Sequence, residues 1–332
     1  MTRNPIVANG WYQGAWSDEV GRELLQRWIV NRPVCFYRCL DGTVTAIEDR
    51  CPHRRFPLSQ GTLDGDVVQC GYHGYRIDAG GVCVGVAEQP DTPKAAVHRF
   101  PVVERYGIVW IWPGDAEAAD PDLIPDLSWL VDDGWSHVQG MVPLAARQVL
   151  LAENLLDLTH ETFLHAGSIG NAAVAATPID VTSEGNRVSF LRHMVGVDAP
   201  PFYADSLGVS VIDRWQDGDF HAPGVFVLNI RIAPTGVPEP EGFHLKVFYG
   251  LTPETDTTTH DFFALGRDFR VEDEELSSSY LTQQLAVMQE DVDALEIQER
   301  MVASETVPMR ESSIRSDVAG IRGRRLLERL AR

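Results

Sequence analysis

The chain has 332 residues, with 28 lysines and arginines against 48 aspartates and glutamates, and a formal net charge of −20. This length predicts two domains, and the negative charge argues against nucleic acid or an anionic membrane as a partner. The first residues lack a signal-peptide pattern and no apolar run approaches the roughly 20 residues of a membrane span, so we expect a cytoplasmic protein.

Residues 5–113 alternate short apolar runs with turn signals. In RPVCFYRCLDGTVTAIED an Asp-Gly pair separates two runs, and a Gly-Gly pair does so in RIDAGGVCVGV. Such spacing is typical of antiparallel hairpins. The first third is therefore predicted to be an all-β module.

Two cysteine-histidine motifs lie inside this module. Cys51 and His53 form a C-x-H motif, and Cys70 and His73 form a C-x2-H motif after sixteen intervening residues. Two thiolates and two imidazoles could hold a tetrahedral zinc ion. A Rieske [2Fe-2S] cluster needs two thiolates on one iron and two neutral imidazoles on the other. Two loops that each supply one cysteine and one histidine favour the cluster.

A domain boundary is predicted near residue 118. The strand-like GIVWIWPG is followed by the acidic, proline-rich GDAEAADPDLIPDL, a composition typical of linkers. Residues 1–118 would form the cluster domain. Residues 119–332 show no internal repeat and are predicted to form one larger catalytic domain of the α+β class, with an antiparallel sheet and helices.

The segment VLLAENLLDLTHETFLHAGSIG begins with an amphipathic helix pattern. Asn154, Asp157 and His160 recur at positions i, i+3 and i+6, on one face of that helix. His165 follows about 140° round an ideal helix, so both imidazoles reach one metal only if the backbone bends, and we predict an irregularity at Glu161–Leu164. A single histidine would more often be a capping or core residue. Two of them beside an inward aspartate favour a metal site.

A third ligand is expected from SSSYLTQQLAVMQEDVDALEIQERMV, which has the apolar stripe of a helix. Its candidates are Asp291 and Asp293. Two histidines and one carboxylate form the site of non-haem iron(II) enzymes, which leaves one face open for dioxygen.

The chain resembles the Rieske non-haem iron oxygenases, in the branch of vanillate O-demethylase and dicamba monooxygenase. The resemblance lies in CPHRRFPLSQGTLDGDVVQCGYHGYRID, ENLLDLTHETFLHAGSIG, APPFYADSLG, LTPETDTTTHDFFALGRDF and QEDVDALEIQE. It implies that Cys51, His53, Cys70 and His73 hold a [2Fe-2S] cluster. It also implies that Asp291, rather than Asp293, completes a mononuclear Fe(II) site with His160 and His165.

The resemblance gives Asp157 a role in electron transfer between subunits. It implies that Asp157 accepts hydrogen bonds from a cluster histidine, His73 of one chain, and from an iron histidine, His160 of the next, in a head-to-tail homotrimer. Asn154, on the same predicted face, is a second candidate catalytic residue. The alternative is that Asp157 only orients His160.

The implied function is the oxygenase component of a multicomponent system. An NADH-dependent reductase of the flavin and iron-sulfur type would supply electrons, and O2 would oxidise a small aromatic acid, by O-demethylation with formaldehyde release. The alternatives are methyl or ring hydroxylation of another aromatic such as a sulfonate, a dihydroxylase, or a non-enzymatic Rieske electron carrier.

Three residues are expected to contact the substrate. The strand-like FVLNIRIAP places Asn229 and Arg231 on one face, and Asn229 matches a substrate-contacting position of the resembled branch. Arg231 could clamp a carboxylate or sulfonate, or be a surface arginine. Tyr249 stands where a dicamba-type enzyme has histidine, so the contact set departs from that pattern.

Overall fold

The computed structural model describes residues 4–90, 92–238, 242–307 and 309–332. They form two compact units. The first comprises Ala8–Ile124 with Glu254–Asp256, and the second comprises the described residues of Met1–Val7, Pro125–Pro253 and Thr257–Arg332.

The predicted linker is divided between these units. Its first part stays with the first unit because Asp115 N donates to Asn9 Oδ1 at 2.8 Å and Trp11 Nε1 donates to Asp120 O at 2.8 Å. The division therefore falls at Ile124, beyond position 118.

The first unit is built from short antiparallel strands, as its turn signals predict. Their sheet orders are β1-β10-β9, β2-β3-β4 and β5-β6-β7-β8. Gly42 and Gly81 have φ of 89° and 83° in the turns after β3 and β7, where a side chain would be strained. The strands are β1 (Tyr12–Trp16), β2 (Leu25–Ile29), β3 (Arg32–Arg38), β4 (Val44–Glu48), β5 (Thr62–Asp64), β6 (Val67–Gln69), β7 (Tyr75–Ile77), β8 (Cys83–Val86), β9 (Val102–Arg105) and β10 (Ile108–Ile111).

The second unit contains a seven-stranded antiparallel sheet with helices packed on it, so the predicted fold class is confirmed. Its order is β11-β17-β16-β15-β14-β13-β12. The strands are β11 (Ser136–Leu144), β12 (Asp180–Glu184), β13 (Arg187–Asp198), β14 (Val211–His221), β15 (Val225–Pro234), β16 (Phe243–Pro253) and β17 (Thr259–Arg267). The helices are α1 (Gln148–Leu156), α2 (Ala172–Ala176), α3 (Pro201–Leu207), α4 (Glu274–Ala303) and α5 (Val318–Leu330).

The long helix α4 begins where the sequence offers a capping residue. The Asp273 side chain accepts a hydrogen bond from Leu276 N at 2.9 Å, and Glu274 and Glu275 suit the positive end of the helix dipole. The apolar stripe of α4 joins one hydrophobic core with α1 and the inner face of the sheet. This core therefore fixes the positions of the side chains on the inner face of α4.

Among the described residues, no helix combines the length and the apolar character needed to cross a membrane.

Candidate functional site

The two cysteine-histidine loops of the first unit have the same backbone geometry. Cys51 N donates to Phe56 O and Cys70 N donates to Tyr75 O, each at 2.8 Å. Gly74 closes the second loop with φ of 71°, and a Cβ there would lie 2.9 Å from a neighbouring side-chain atom. The two loops therefore share one hydrogen-bonded turn, although the histidine lies two residues after the cysteine in the first loop and three residues after it in the second.

The two thiols lie next to each other, and so do the two imidazoles. The Cys51 and Cys70 thiols are hydrogen-bonding neighbours, and the imidazole rings of His53 and His73 lie 4.6 Å apart between centroids. Both cysteines are buried, whereas both histidines are exposed. This arrangement fits a Rieske cluster, in which one iron takes two thiolates and the other takes two imidazoles.

The two kinds of donor differ in their protonation. Burial, the largest cause, raises the pKa of Cys51 to about 11, so the sulfur keeps its proton until a metal displaces it. Desolvation, followed by the charges of His53 and Arg54, lowers the pKa of His73 and favours the neutral imidazole that iron binds.

The second site begins where α1 ends. The helix stops at Leu156, and Asp157 both ends it and caps a 3-10 turn, Leu158–Thr162, by accepting a hydrogen bond from Thr159 N at 2.9 Å. The predicted common helical face of Asn154, Asp157 and His160 is therefore wrong, because only Asn154 lies on the helix. The backbone is irregular as expected, but the change begins at Asp157, since a capping aspartate competes with helix continuation.

The structure brings His160, His165 and Asp291 together. Their ligand atoms lie within 4.8 Å of one another, and Asp291 Oδ1 is 3.5 Å from His160 Nε2 and 3.3 Å from His165 Nε2. His165 Nε2 is buried and makes no hydrogen bond, so a metal ion would satisfy it. Asp293 is exposed and accepts a hydrogen bond from Gln289 on the same helix.

Contacts at Nδ1 orient the imidazoles of His160 and His165 toward Asp291. His160 Nδ1 lies 2.6 Å from the backbone oxygen of Asp157, and His165 Nδ1 lies 2.5 Å from Glu290 Oε2. Because these oxygens accept the Nδ1 proton, the Nε2 lone pairs are left for a metal. The contact that the resemblance assigned to the Asp157 carboxylate is thus made by its backbone carbonyl, because the carboxylate caps the next turn.

The side chains around the two histidines also act on one another. Asn154 Nδ2 donates to Asp291 Oδ1 at 2.9 Å, which orients the carboxylate. Burial lowers the pKa of His165, but Asp291 and Glu290 together outweigh burial and raise this pKa to about 9. The carboxylates of Asp291 and Glu290 therefore stabilise positive charge at His165. The sequence-based prediction gave no role to Glu290.

A buried ion pair fixes the segment between the two histidines. Glu161 lies between them in sequence, and its carboxylate is 3.1 Å from Arg214 Nη2 and 2.9 Å from Gln216 Nε2. Arg214 also donates to Ile169 O at 3.0 Å and is fully buried. This network was not predicted from the sequence, although polar residues at inward positions of an alternating strand, as in VIDRWQDGDF, were a signal for it.

A mostly apolar cavity opens beside the three clustered side chains. Its volume is about 50 Å³, whereas an apolar cavity that holds benzene measures about 150 Å³, so an aromatic ring would have to displace lining side chains. Its walls include Leu228, Ile230, Leu245, Val247, Leu265 and Val287.

The predicted substrate contacts of Asn229 and Arg231 are corrected by this geometry. Successive side chains of β15 point to opposite faces, and the cavity lies on the face of Leu228 and Ile230. Arg231 instead forms an ion pair with Asp217 of the neighbouring strand.

The structure does place Tyr249 in the cavity wall. Its hydroxyl accepts a hydrogen bond from Gln284 Nε2 at 3.1 Å. Gln284 lies on α4 with Val287 and Asp291 at i, i+3 and i+7, which gives them one helix face.

Comparisons with known proteins cover nearly the whole chain. Residues 10–101 match the Rieske [2Fe-2S] domain, and residues 144–332 match the vanillate O-demethylase oxygenase C-terminal domain. The chain is 35% identical to a vanillate O-demethylase oxygenase subunit of Pseudomonas sp. (strain HR199), over 97% of this chain and 94% of that protein. It is 34% identical to the dicamba O-demethylase oxygenase component of Stenotrophomonas maltophilia, over 98% of each. The crystal structure of dicamba monooxygenase bound to 3,6-dichlorosalicylic acid matches with a TM-score of 0.93 at 33% identity, over 98% of each chain.

Proposed function

This chain belongs to the Rieske non-haem iron oxygenases, in the branch of the vanillate O-demethylase oxygenase subunits, and we propose that it demethylates a methoxy-aromatic compound. Its cofactors are a Rieske [2Fe-2S] cluster and a mononuclear non-haem iron. The observation that carries the proposal is a group of two histidines and one aspartate facing an apolar cavity.

We assign each cofactor to the donor set that fits it. The paired thiols of Cys51 and Cys70 and the paired imidazoles of His53 and His73 would hold the cluster. The clustered Nε2 atoms of His160 and His165 and the carboxylate of Asp291 would hold the iron, which supplies dioxygen activation when it is bound.

The surrounding residues prepare this chemistry. Asn154 keeps the Asp291 carboxylate turned toward the histidines, and Glu161 pins the turn between them. The apolar wall keeps bulk water from the reacting bond. In the overall reaction, a methyl ether, O2, two electrons and two protons give a phenol, formaldehyde and water.

The electrons would come from a partner protein. As the oxygenase component of a multicomponent system, the chain would receive them from an NADH-dependent reductase of the flavin and iron-sulfur type. We propose that the chain forms a homotrimer, in which Asp157 of one subunit links its iron to the cluster of the neighbour. In support, the backbone of Asp157 holds His160 in place at 2.6 Å.

The test is product analysis with the iron-loaded enzyme. A surrogate reductase, NADH and a panel of methoxylated aromatic compounds should give formaldehyde in proportion to the O2 consumed. Asp291→Asn should abolish formaldehyde while the cluster spectrum persists. A cis-diol, or a hydroxylated product with no formaldehyde, would overturn the demethylase assignment.

A further inference from the structure

We propose that the cavity selects an uncharged aromatic substrate, anchored by hydrogen bonds from Tyr249 and Gln284 rather than by an ion pair. The inference rests on the proposed function and names the substrate class of that site. It departs from the acidic substrate expected from the sequence, because Arg231, which was to clamp the acid, faces away from the cavity.

The charges in the wall are already balanced. Among the described lining residues, Arg214 is the only arginine or lysine, and its guanidinium lies 3.1 Å from the Glu161 carboxylate. It donates two further hydrogen bonds, to Ile169 O and to the Tyr203 hydroxyl, each at 3.0 Å. An anionic substrate group would therefore be buried against apolar walls with no uncompensated cation beside it, which is strongly unfavourable.

The iron end offers no spare positive charge for a second anion. A ferrous ion there would have the carboxylates of Asp291 and Glu290 about it, one as a ligand and one on His165. Its charge would thus be compensated at the reacting end of the cavity. The group that identifies the substrate must be recognised elsewhere.

Tyr249 and Gln284 provide that recognition. Both are buried, at 9% and 7% exposure, and Gln284 Nε2 donates to the Tyr249 hydroxyl at 3.1 Å. Because the hydroxyl accepts this bond, it keeps its own proton to donate to a substrate oxygen. Burial, the largest cause, raises the pKa of Tyr249, so the group stays a neutral phenol. A neutral carbonyl, amide or hydroxyl group satisfies this pair without introducing a charge.

The spacing along α4 sets the length of the substrate. Gln284 and Asp291 are seven residues apart on one helix face, which is roughly 10 Å along the axis. The apolar stretch between them is lined by Val287 and by Leu245 and Val247 of β16. This length suits a single aromatic ring with the methoxy group at one end and an uncharged polar group at the other, and the cavity of about 50 Å³ accommodates the ring once lining side chains move aside.

A matched pair of compounds tests the inference. We would compare 4-methoxybenzamide with 4-methoxybenzoate, which differ in charge but hardly in shape, using the iron-loaded enzyme with reductase and NADH. The expected result is a KM for the amide at least about tenfold below that for the carboxylate. A KM for the carboxylate equal to or below that for the amide overturns the inference.

Variants separate recognition from folding. Tyr249→Phe should reduce the amide-to-carboxylate preference in kcat/KM roughly tenfold, whereas a merely structural defect lowers both substrates together. Gln284→Lys should reverse the preference by supplying the missing cation. An unchanged preference in both variants would contradict the anchor.

The outcome also distinguishes this inference from the proposed function. If formaldehyde forms from the carboxylate in preference to the amide, the demethylase proposal holds and the inference of an uncharged substrate is contradicted. O2-dependent oxidation of the amide without formaldehyde removes the demethylase and keeps the charge selectivity.

Discussion

The two metal sites proposed for this chain are built in opposite ways. The cluster loops take all four donors from residues 51–73, and each loop is closed by hydrogen bonds within itself. The iron site joins a turn after α1 to a position on α4 more than a hundred residues away, and its buried ion pair reaches a third element, β14. The first site is local and presents its histidines at the surface, whereas the second is assembled by the fold and enclosed.

This difference indicates what each site depends on. The cluster loops need little beyond their own turns and the small core that holds the cysteines. The iron site needs the correct packing of the whole second unit, because its carboxylate is carried by a long helix docked on a sheet. Substitutions far from the iron should therefore disturb the second site more than similar changes disturb the first.

The largest effect is expected when the carboxylate of Asp291, which the fold of the second unit brings to the iron site, is removed. Asp291→Asn should lower kcat by at least about a thousandfold, because a neutral amide is a poor iron ligand. Iron analysis should show loss of the catalytic iron, while the visible spectrum of the cluster stays unchanged.

Asp293→Asn is the matched control, on the same helix and two residues away. Asp293 is exposed and bonds only to Gln289 in the described contacts, so its substitution should leave iron content and rate unaltered. Equal losses in both variants would contradict the assignment of Asp291.

A second prediction compares two arginines, one from each unit. Arg214→Met leaves the buried Glu161 carboxylate unpaired and should lower the free energy of unfolding of the second unit by about 3–5 kcal/mol. Arg76→Met removes an exposed pair with Asp64 in the cluster unit and should cost less than about 1 kcal/mol. Urea denaturation followed by circular dichroism measures both.

The double variant Arg214→Met/Glu161→Gln provides the control for charge. It should recover much of the lost stability, because the unpaired charge is gone. A loss as large as that of the single variant would mean that the guanidinium matters through its packing and its hydrogen bonds to Ile169 O and the Tyr203 hydroxyl rather than through the charge of Glu161.

The contrast between local and assembled sites also explains how much could be predicted from the sequence. The spacing of Cys51, His53, Cys70 and His73 indicated the cluster motif because all the donors lie close together along the chain. The pairing of Glu161 with Arg214 could not be predicted, because its partners are 53 residues apart and nothing local specifies their contact. The inward face of β15 was misassigned since a shift of one residue exchanges the two faces of a strand.

The end of α1 shows a further limit. Periodicity extended the helix through Asp157 to His160, whereas the capping chemistry of an aspartate stops it at Leu156. The prediction of a metal site at the two histidines did not depend on that detail, because it required only that the backbone bend between them. The contacts of Asp157 did depend on it.

A third prediction concerns electron transfer between the two kinds of site. Asp157→Asn should slow oxidation of the reduced cluster in a single turnover roughly 100-fold, because an amide cannot replace the carboxylate in linking the metals. Asparagine is an equally good capping residue, so the turn that carries His160 should persist. Stopped-flow absorbance of the cluster with substrate and O2 measures the rate. An unchanged rate in protein that retains both metals would restrict Asp157 to orienting His160.

The smallest expected effect is a pH dependence of stability that belongs to the second unit. Glu153, on α1, is largely buried, and this burial raises the pKa of its carboxyl from 4.5 to about 7, although Arg324 at 3.0 Å lowers it and Glu311, Asp317 and Glu328 raise it. Between these two pKa values the folded state binds more protons than the unfolded chain, so stability is greatest below pH 4.5 for this group and declines as the pH rises to about 7.

Glu153→Gln should remove this decline and make the protein more stable at pH 8, by on the order of 2 kcal/mol after allowance for partial solvent screening. Denaturation midpoints measured from pH 5 to pH 8 test it. Glu23→Gln, at an exposed position of the cluster unit, is the control and should leave the pH profile unchanged. If Glu153→Gln instead destabilises the protein at pH 8, the ion pair with Arg324 outweighs burial. The buried surroundings of Glu153 in the second unit would then stabilise its charged carboxylate rather than oppose it.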